Sequence, residues 1–389
     1  MFPASHLPKL DEMITVKDTL AELVAINSVS ALPNEPIISY LEQRVDALGF
    51  ATRRFSYVDE TGVEKINLIA VTGTQFSEHT EIELALVGHT DTVPFDPNWT
   101  DALKLIERDG KLFGRGSCDT KAFIAATLTA VAEVDLNRLQ QPLALIFTSD
   151  EEIGLRGAKF LADLKLLVPR YSIVGEPTSL QPIRAGKGYS LAEVVVRGRE
   201  AHSAYPALGK SAILGAARLI SRLEEIANEI KTEQHDEFDP SYTTLNVGLI
   251  RGGTAKNVIA GECRFTLEWR PVPSQTSKHV LDLVEAAIHT EKEVNPEFEA
   301  EVNLERLDSG FETALDSEIV TLMRELTGKT PGTVAFGTEA AQMTLLGSEA
   351  VVIGPGNIRE AHRTGEFVPI NELERCVEIL RTAVSRLCL

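Results

Sequence analysis

Apolar and polar positions follow two rhythms along this chain. Residues 15–27 and 36–48 carry apolar side chains at three- and four-residue spacing, which predicts two amphipathic helices. Glu83–Gly88 (ELALVG) is a short apolar run and predicts a buried strand. Thr120–Val134 (TKAFIAATLTAVAEV) is apolar on most faces and predicts a buried helix. Leu143–Thr148 (LALIFT) predicts another buried strand, followed by a helix near Arg156–Leu166. Ser172–Gly175 and Ala350–Gly354 predict further short strands. Strands alternating with helices in this way predict an α/β fold, a mostly parallel sheet with helices on both faces.

The middle of the chain has a different order. Tyr189–Gly198 (YSLAEVVVRG) alternates as a half-exposed strand does, and Lys210–Ile230 predicts a long helix. Thr243–Ile250 and Glu262–Arg270 predict two strands joined across a turn containing Gly-Gly, followed by a helix over Ser277–Glu293 and a strand over Glu299–Leu307. The order β-α-β-β-α-β is the split-βαβ, ferredoxin-like pattern. It predicts a smaller α+β domain at residues 184–308, inserted into a larger domain made of 1–183 and 309–389. Gly186 and Gly188 stand at its entrance, where they could form a hinge.

Length and composition agree with this division. The chain has 389 residues, which suits about two domains, and no internal repeat or low-complexity tract. With 43% apolar and 24% charged residues it is globular by composition. No apolar run approaches the ~20 residues of a membrane span. The start, MFPASHLPKLDEM, lacks the basic and apolar regions of a secretion signal. A net charge of −19 opposes binding to nucleic acid, which needs a basic surface, and equally to lipid headgroups. Cys118, Cys263, Cys376 and Cys388 are widely spaced, as reduced thiols of a cytoplasmic protein would be.

The candidate chemistry lies just beyond the predicted parallel strands. ELALVG runs into His89-Thr90-Asp91, LALIFT leads to Asp150-Glu151-Glu152, and SIVG runs into Glu176. AVVIGPG leads through a loop to His362, and Asp119 immediately precedes the buried helix. The carboxyl edge of an open α/β sheet is where ligands bind. Singly, each of these residues is an ordinary loop histidine or acid, but together they form a nitrogen and oxygen donor set without thiolate. That set suits zinc, cobalt or manganese, and two ions sharing a carboxylate use it better than one. Gly114-Arg115-Gly116 is too short for a dinucleotide fingerprint.

Six motifs carry a family resemblance: HTD at 89–91, GRGSCDTK at 114–121, SDEEIG at 149–154, GEPTSLQPIRAGKG at 175–188, REAHSA at 199–204 and GPGNIREAH at 354–362. In sequence and order they resemble the dizinc aminoacylase/acetylornithine deacetylase/succinyl-diaminopimelate desuccinylase family, from about residue 15 to the carboxyl terminus. The resemblance implies a dimetal catalytic domain at the two chain ends and an inserted lid through which a homodimer forms. It further implies that Asp119 bridges two zinc (or cobalt) ions, that His89 and Glu176 complete one site, and that Glu152 and His362 complete the other. Glu151 would be the general base to a hydroxide formed between the ions, and Asp91 would orient His89. His202, reaching across from a partner subunit, would steady the oxyanion. The bond after Asp119 is often cis in relatives. Thr120 and Ala122 stand where relatives commonly carry Met and Gly.

For substrate, the resemblance implies an N-acylated amino acid. Arg270 in EWRPVP would fork onto the α-carboxylate and Asn257 in GGTAKNVI would donate to an acyl or carboxylate oxygen. FGTEAAQ at 336–342 resembles the loop of acetylornithine deacetylases, where Glu339 would meet the δ-ammonium of ornithine. The implied reaction is conversion of N2-acetyl-L-ornithine to L-ornithine and acetate, a step of arginine biosynthesis. Alternatives within the family are acetylcitrulline, succinyl-diaminopimelate, general acylamino acids and dipeptides. Trp269 departs from the aliphatic residue usual before Arg270 and leaves side-chain specificity open. A non-catalytic binding protein on the same scaffold should have lost a ligand or the base, and none is missing.

Overall fold

The computed structural model describes residues 15–73, 77 and 79–389. The amino-terminal stretch considered above for a secretion signal lies outside the described residues. The fold divides into two compact units. One holds the chain up to Arg184, Thr313–Pro331 and Thr338–Leu389; the other holds Ala185–Glu312 and Gly332–Gly337. The sequence pattern places Gly332–Gly337 with the larger domain instead.

In the first unit the main sheet runs in the order Ala51–Val58, Glu64–Val71, Leu143–Thr148, Thr80–His89, Leu167–Val174, Glu349–Val352. The last four strands are mutually parallel, so their carboxyl ends lie on one edge. The register brings His89 opposite Thr148, Val87 opposite Val174, and Val352 also opposite Val174. The first two strands join antiparallel. Alternate strand residues, among them Leu84, Leu86, Leu145, Ile173 and Val351, enter one core with the helices Val16–Ala25, Lys121–Ala132 and Ile370–Cys388. Helices Arg156–Leu164 and Ala340–Leu345 pack on the sheet outside that core. Among the described residues, no helix is long and apolar enough to cross a membrane. All four cysteines are buried and free.

The helix Lys121–Ala132 is buried along almost its whole length, as its apolar circumference requires. Its amino-terminal end fixes Asp119, and the peptide bond Asp119–Thr120 is cis. Close approach of backbone is needed at the same edge. A Cβ on Gly175 would fall 2.2 Å from the Phe123 ring, and one on Gly354 would fall 2.5 Å from the Glu176 carbonyl. Only glycine allows these contacts beside Glu176.

The second unit is a four-stranded antiparallel sheet in the order Thr244–Gly252, Glu262–Arg270, Ser190–Arg197, Glu299–Leu307. Helices Ala212–Glu229 and His279–Val294 cover one face over Val194, Leu219, Phe265, Trp269 and Val284. The strict alternation of Glu262–Arg270 turns Trp269 into this core, where its indole N–H donates to the Ser277 carbonyl at 3.0 Å. Arg270 therefore points to the other face. That face is polar: Arg264 pairs with Glu193 at 2.8 Å and Arg197 with Glu301 at 2.6 Å. Gly188 is closely packed rather than merely pliant, since a Cβ there would meet the Asp308 carbonyl at 2.1 Å.

Candidate metal centre

The parallel strands deliver their acids and imidazole to one place. Asp119 lies at its middle, 5% exposed, with its two oxygens facing different histidines. Oδ1 is 3.0 Å from Nε2 of His89, and Oδ2 is 3.2 Å from Nε2 of His362. Nε2 of His362 is also 3.0 Å from Oε2 of Glu152. His89, Asp119 and Glu152 each offer a donor atom within 4.8 Å of the others. Glu176 is buried at the end of its strand, and Glu151 stands beside the cluster.

Electrostatics explain why the groups hold together. Burial pushes the carboxyls of Glu151 and Glu176 well above the usual range, and neighbouring acids push them further. Burial would also raise Asp119, but hydrogen bonds from His362 and His89 win and hold it below the usual range. Burial would lower His89, yet its bonds to Asp119 and Asp91 hold it well above the ordinary imidazole value. Hydrogen bonds to Asp119 and Glu152 push His362 up to about 10. Among the described residues, the positive partners of these acids are imidazoles, not lysine or arginine. Burying so many carboxylates is costly unless cations balance them. The imidazoles face these acids, and a divalent ion held among the same donors would balance their charge. The donor set and its spacing fit a divalent metal.

Asp91 serves the cluster in two ways. Nδ1 of His89 donates to the Asp91 carbonyl at 3.1 Å, which directs Nε2 toward Asp119, while the Asp91 carboxylate lies 3.6 Å from Nδ1. That carboxylate accepts the N–H of Glu151 at 3.1 Å, the N–H of Glu152 at 3.3 Å and the Ser30 hydroxyl at 2.8 Å. It thus sets both the imidazole and the turn that presents the two glutamates.

Glu366 is the residue that sequence reasoning missed. Its carboxylate is fully buried and accepts Arg115 Nη1 at 2.6 Å and the N–H groups of Gly116, Cys118 and Asp119 at 3.1, 2.9 and 3.0 Å. It clamps the loop that carries Asp119. The only signal in the sequence is an acid just before the short strand Phe367–Pro369, which is not distinctive. Glu366→Ala would leave the buried Arg115 charge without its carboxylate and three amides without their acceptor. We expect it to cost about 3–5 kcal/mol, as breaking a buried ion pair does, read as a lowered urea midpoint with an unchanged slope. A midpoint within error of the parent would contradict the clamp.

Glu339 is buried, 1% exposed, at the start of the helix Ala340–Leu345, instead of lying on an open loop. Burial pushes its pKa up to about 7, and Oε1 has no hydrogen-bond partner. The other three candidates belong to the second unit. His202 is exposed, accepts the Ala204 N–H on Nδ1 at 3.1 Å, and neighbours Asn257 through the bridge to Val258. Asn257 is exposed and its carbonyl accepts the Ser203 N–H at 3.0 Å. Arg270 donates from Nε to Glu268 at 2.7 Å, and its guanidinium lies 4.3 Å from the centre of the Tyr189 ring.

Comparisons with known proteins give the family of the chain. The sequence pattern described as "Peptidase family M20/M25/M40" matches residues 85–386. An acetylornithine deacetylase of Myxococcus xanthus is 50% identical over 97% of this chain and 99% of its own. One of Klebsiella pneumoniae (strain 342) is 35% identical over 94% of this chain and 96% of its own. Among solved structures, a tripeptidase of Staphylococcus aureus superposes with a TM-score of 0.75 at 25% identity, covering 96% of this chain and all of its own. An M20 family metallo-carboxypeptidase of Sulfolobus solfataricus, at 20% identity and a TM-score of 0.70 over 93% of this chain and 97% of its own, shares the fold. With metal-ligand candidates at the carboxyl edge of its parallel strands, this chain is a hydrolase that belongs to the M20/M25/M40 peptidase family.

Proposed function

We propose that this chain is a cytoplasmic, two-metal deacetylase that converts N2-acetyl-L-ornithine to L-ornithine and acetate in arginine biosynthesis. The observation that carries the reading is Asp119, whose two oxygens face two different imidazoles as a bridging carboxylate's would. His89 and Glu176 would hold one ion, and Glu152 and His362 the other, with zinc or cobalt suiting the donors. Ions bound there would supply Lewis acidity, polarising the amide carbonyl and making water more acidic.

The chain's own groups do the rest. Glu151 receives a proton on its carboxylate from the attacking water and passes it to the nitrogen of the scissile amide. The amine then leaves neutral, a far better leaving group than an amide anion. Asp91 keeps Glu151 in place through its backbone N–H. In this reading Arg270 takes the substrate's α-carboxylate, with Nε committed to Glu268 to orient the fork. Asn257 donates to a substrate oxygen, and His202, supplied by a partner subunit, steadies the developing oxyanion. Glu339 takes the δ-ammonium, because a buried carboxylate with one oxygen lacking a donor favours a cation. A homodimer is supported by the edge strand Thr244–Gly252, whose Leu249 and Ile250 are 61% and 54% exposed beside unpaired backbone. Light scattering at the monomer mass would remove that part.

The relatives at 50% and 35% identity are acetylornithine deacetylases, which supports this substrate. The test is a deacylation assay of the metal-loaded protein over acetylornithine, acetylcitrulline, succinyl-diaminopimelate, acetylmethionine and a dipeptide. Acetylornithine should give the highest kcat/KM. A higher value for any other member replaces it as the substrate.

A further inference from the structure

Behind the turn Ser149–Glu152 lies a buried charge that the reaction does not use. Lys65, on the strand Glu64–Val71, has a side chain only 1% exposed. Its ammonium donates to the carbonyls of Ser30 and Leu32, the latter at 2.9 Å. It faces Oδ1 of Asp150 at 3.3 Å and lies 4.0 Å from Asp59. Asp150 is equally buried, and its Oδ1 has no hydrogen-bond partner, so the ammonium is what balances that oxygen. Oδ2 accepts the Tyr57 hydroxyl at 2.8 Å.

Asp150 also has a left-handed backbone, φ 54°, which a residue with a Cβ keeps only where its surroundings impose it. That reversal points the N–H groups of Glu151 and Glu152 at the Asp91 carboxylate. The third donor to Asp91 is the hydroxyl of Ser30, whose carbonyl is held by Lys65. One ammonium therefore restrains both segments that converge on Asp91. Removing it would leave an uncompensated anion beside Asp91 and the glutamates, and the turn would be driven apart by like charge.

We propose that Lys65 is a positioning residue for hydrolysis: paired with Asp150 and tied to the Ser30 carbonyl, it holds Glu151 and Glu152 in register on Asp91. This rests on the reading of Glu151 as the base. Lys65 itself touches neither substrate nor reacting atoms.

The test compares Lys65→Met with the double variant Lys65→Met/Asp150→Asn, measuring kcat, KM and bound metal separately. Lys65→Met should lower kcat by about 10²-fold, the scale of a misplaced catalytic group, with KM and metal content near the parent's. The double variant, which removes the Asp150 charge along with its partner, should recover to within about tenfold of the parent. A purely structural lysine would show no such rescue. Parental kcat in Lys65→Met, or equal loss in both variants, overturns the proposal. If Lys65→Met does not fold, Tyr57→Phe removes the other partner of Asp150 at a half-buried position; a severalfold fall in kcat at unchanged metal content is expected, and no fall overturns the proposal. All ratios are taken on whichever amide the parent turns over best. A different preferred substrate thus sinks the acetylornithine reading and leaves this one standing.

Discussion

Glu151→Gln should lower kcat by about 10²–10⁴-fold, the usual contribution of a positioned general base, while bound metal stays at the parental level. Glutamine has almost the same volume and keeps the backbone N–H that donates to Asp91 at 3.1 Å, so the turn has no reason to move. It cannot accept a proton at neutral pH. The loss belongs to the transition state, so kcat should fall with little change in KM. Metal analysis alongside steady-state kinetics checks both halves. A variant that turns over within a few-fold of the parent would assign the base elsewhere. Loss of metal together with activity would make Glu151 a ligand instead.

Asp119→Ala should be the most damaging single change at the cluster. It removes the oxygens at 3.0 and 3.2 Å from His89 and His362, and with them the group that would bridge two ions in the proposed reading. Bound metal should drop below one equivalent and activity to background. Because a ligand held at a thousand times its dissociation constant stabilises a fold by about 4 kcal/mol, a chelator should lower the melting temperature of the parent by several degrees. It should leave that of Asp119→Ala almost unmoved. The alanine variant with full metal content, or a parent whose melting and activity ignore the chelator, would speak against a bridging carboxylate.

Much of the site is legible in the sequence because each strand that supplies it is an apolar run ending in a polar residue. Buried parallel strands need little else to announce themselves: His89 ends one, Glu151 and Glu152 follow another within four residues, and Glu176 follows a third within two. The alternation in Glu262–Arg270 likewise separates Trp269, in the core, from Arg270 on the opposite face. The antiparallel strand Ala51–Val58 has no such announcement, being largely exposed. Glu366 and Lys65 are hidden for another reason. Their partners are distant, up to 251 residues away for Glu366, so nothing local distinguishes them from surface charges until the fold buries them. Glu339 has a recognisable neighbourhood, yet its burial depends on the helix that follows and on packing that periodicity does not encode.

The order of the donors along the chain has a consequence for how the protein comes into being. His89, Asp119, Glu152 and Glu176 all precede the inserted unit, whereas the strand Glu349–Val352, His362 and the Glu366 clamp follow it. During synthesis most of a highly anionic cleft is therefore present before its second imidazole, its sheet neighbour and its clamp have been made. Closing so long a stretch of chain is entropically slow relative to local structure. A nascent chain cannot complete the cluster until His362 and Glu366 have emerged, well after the inserted unit, which delays cation capture until that unit has been made.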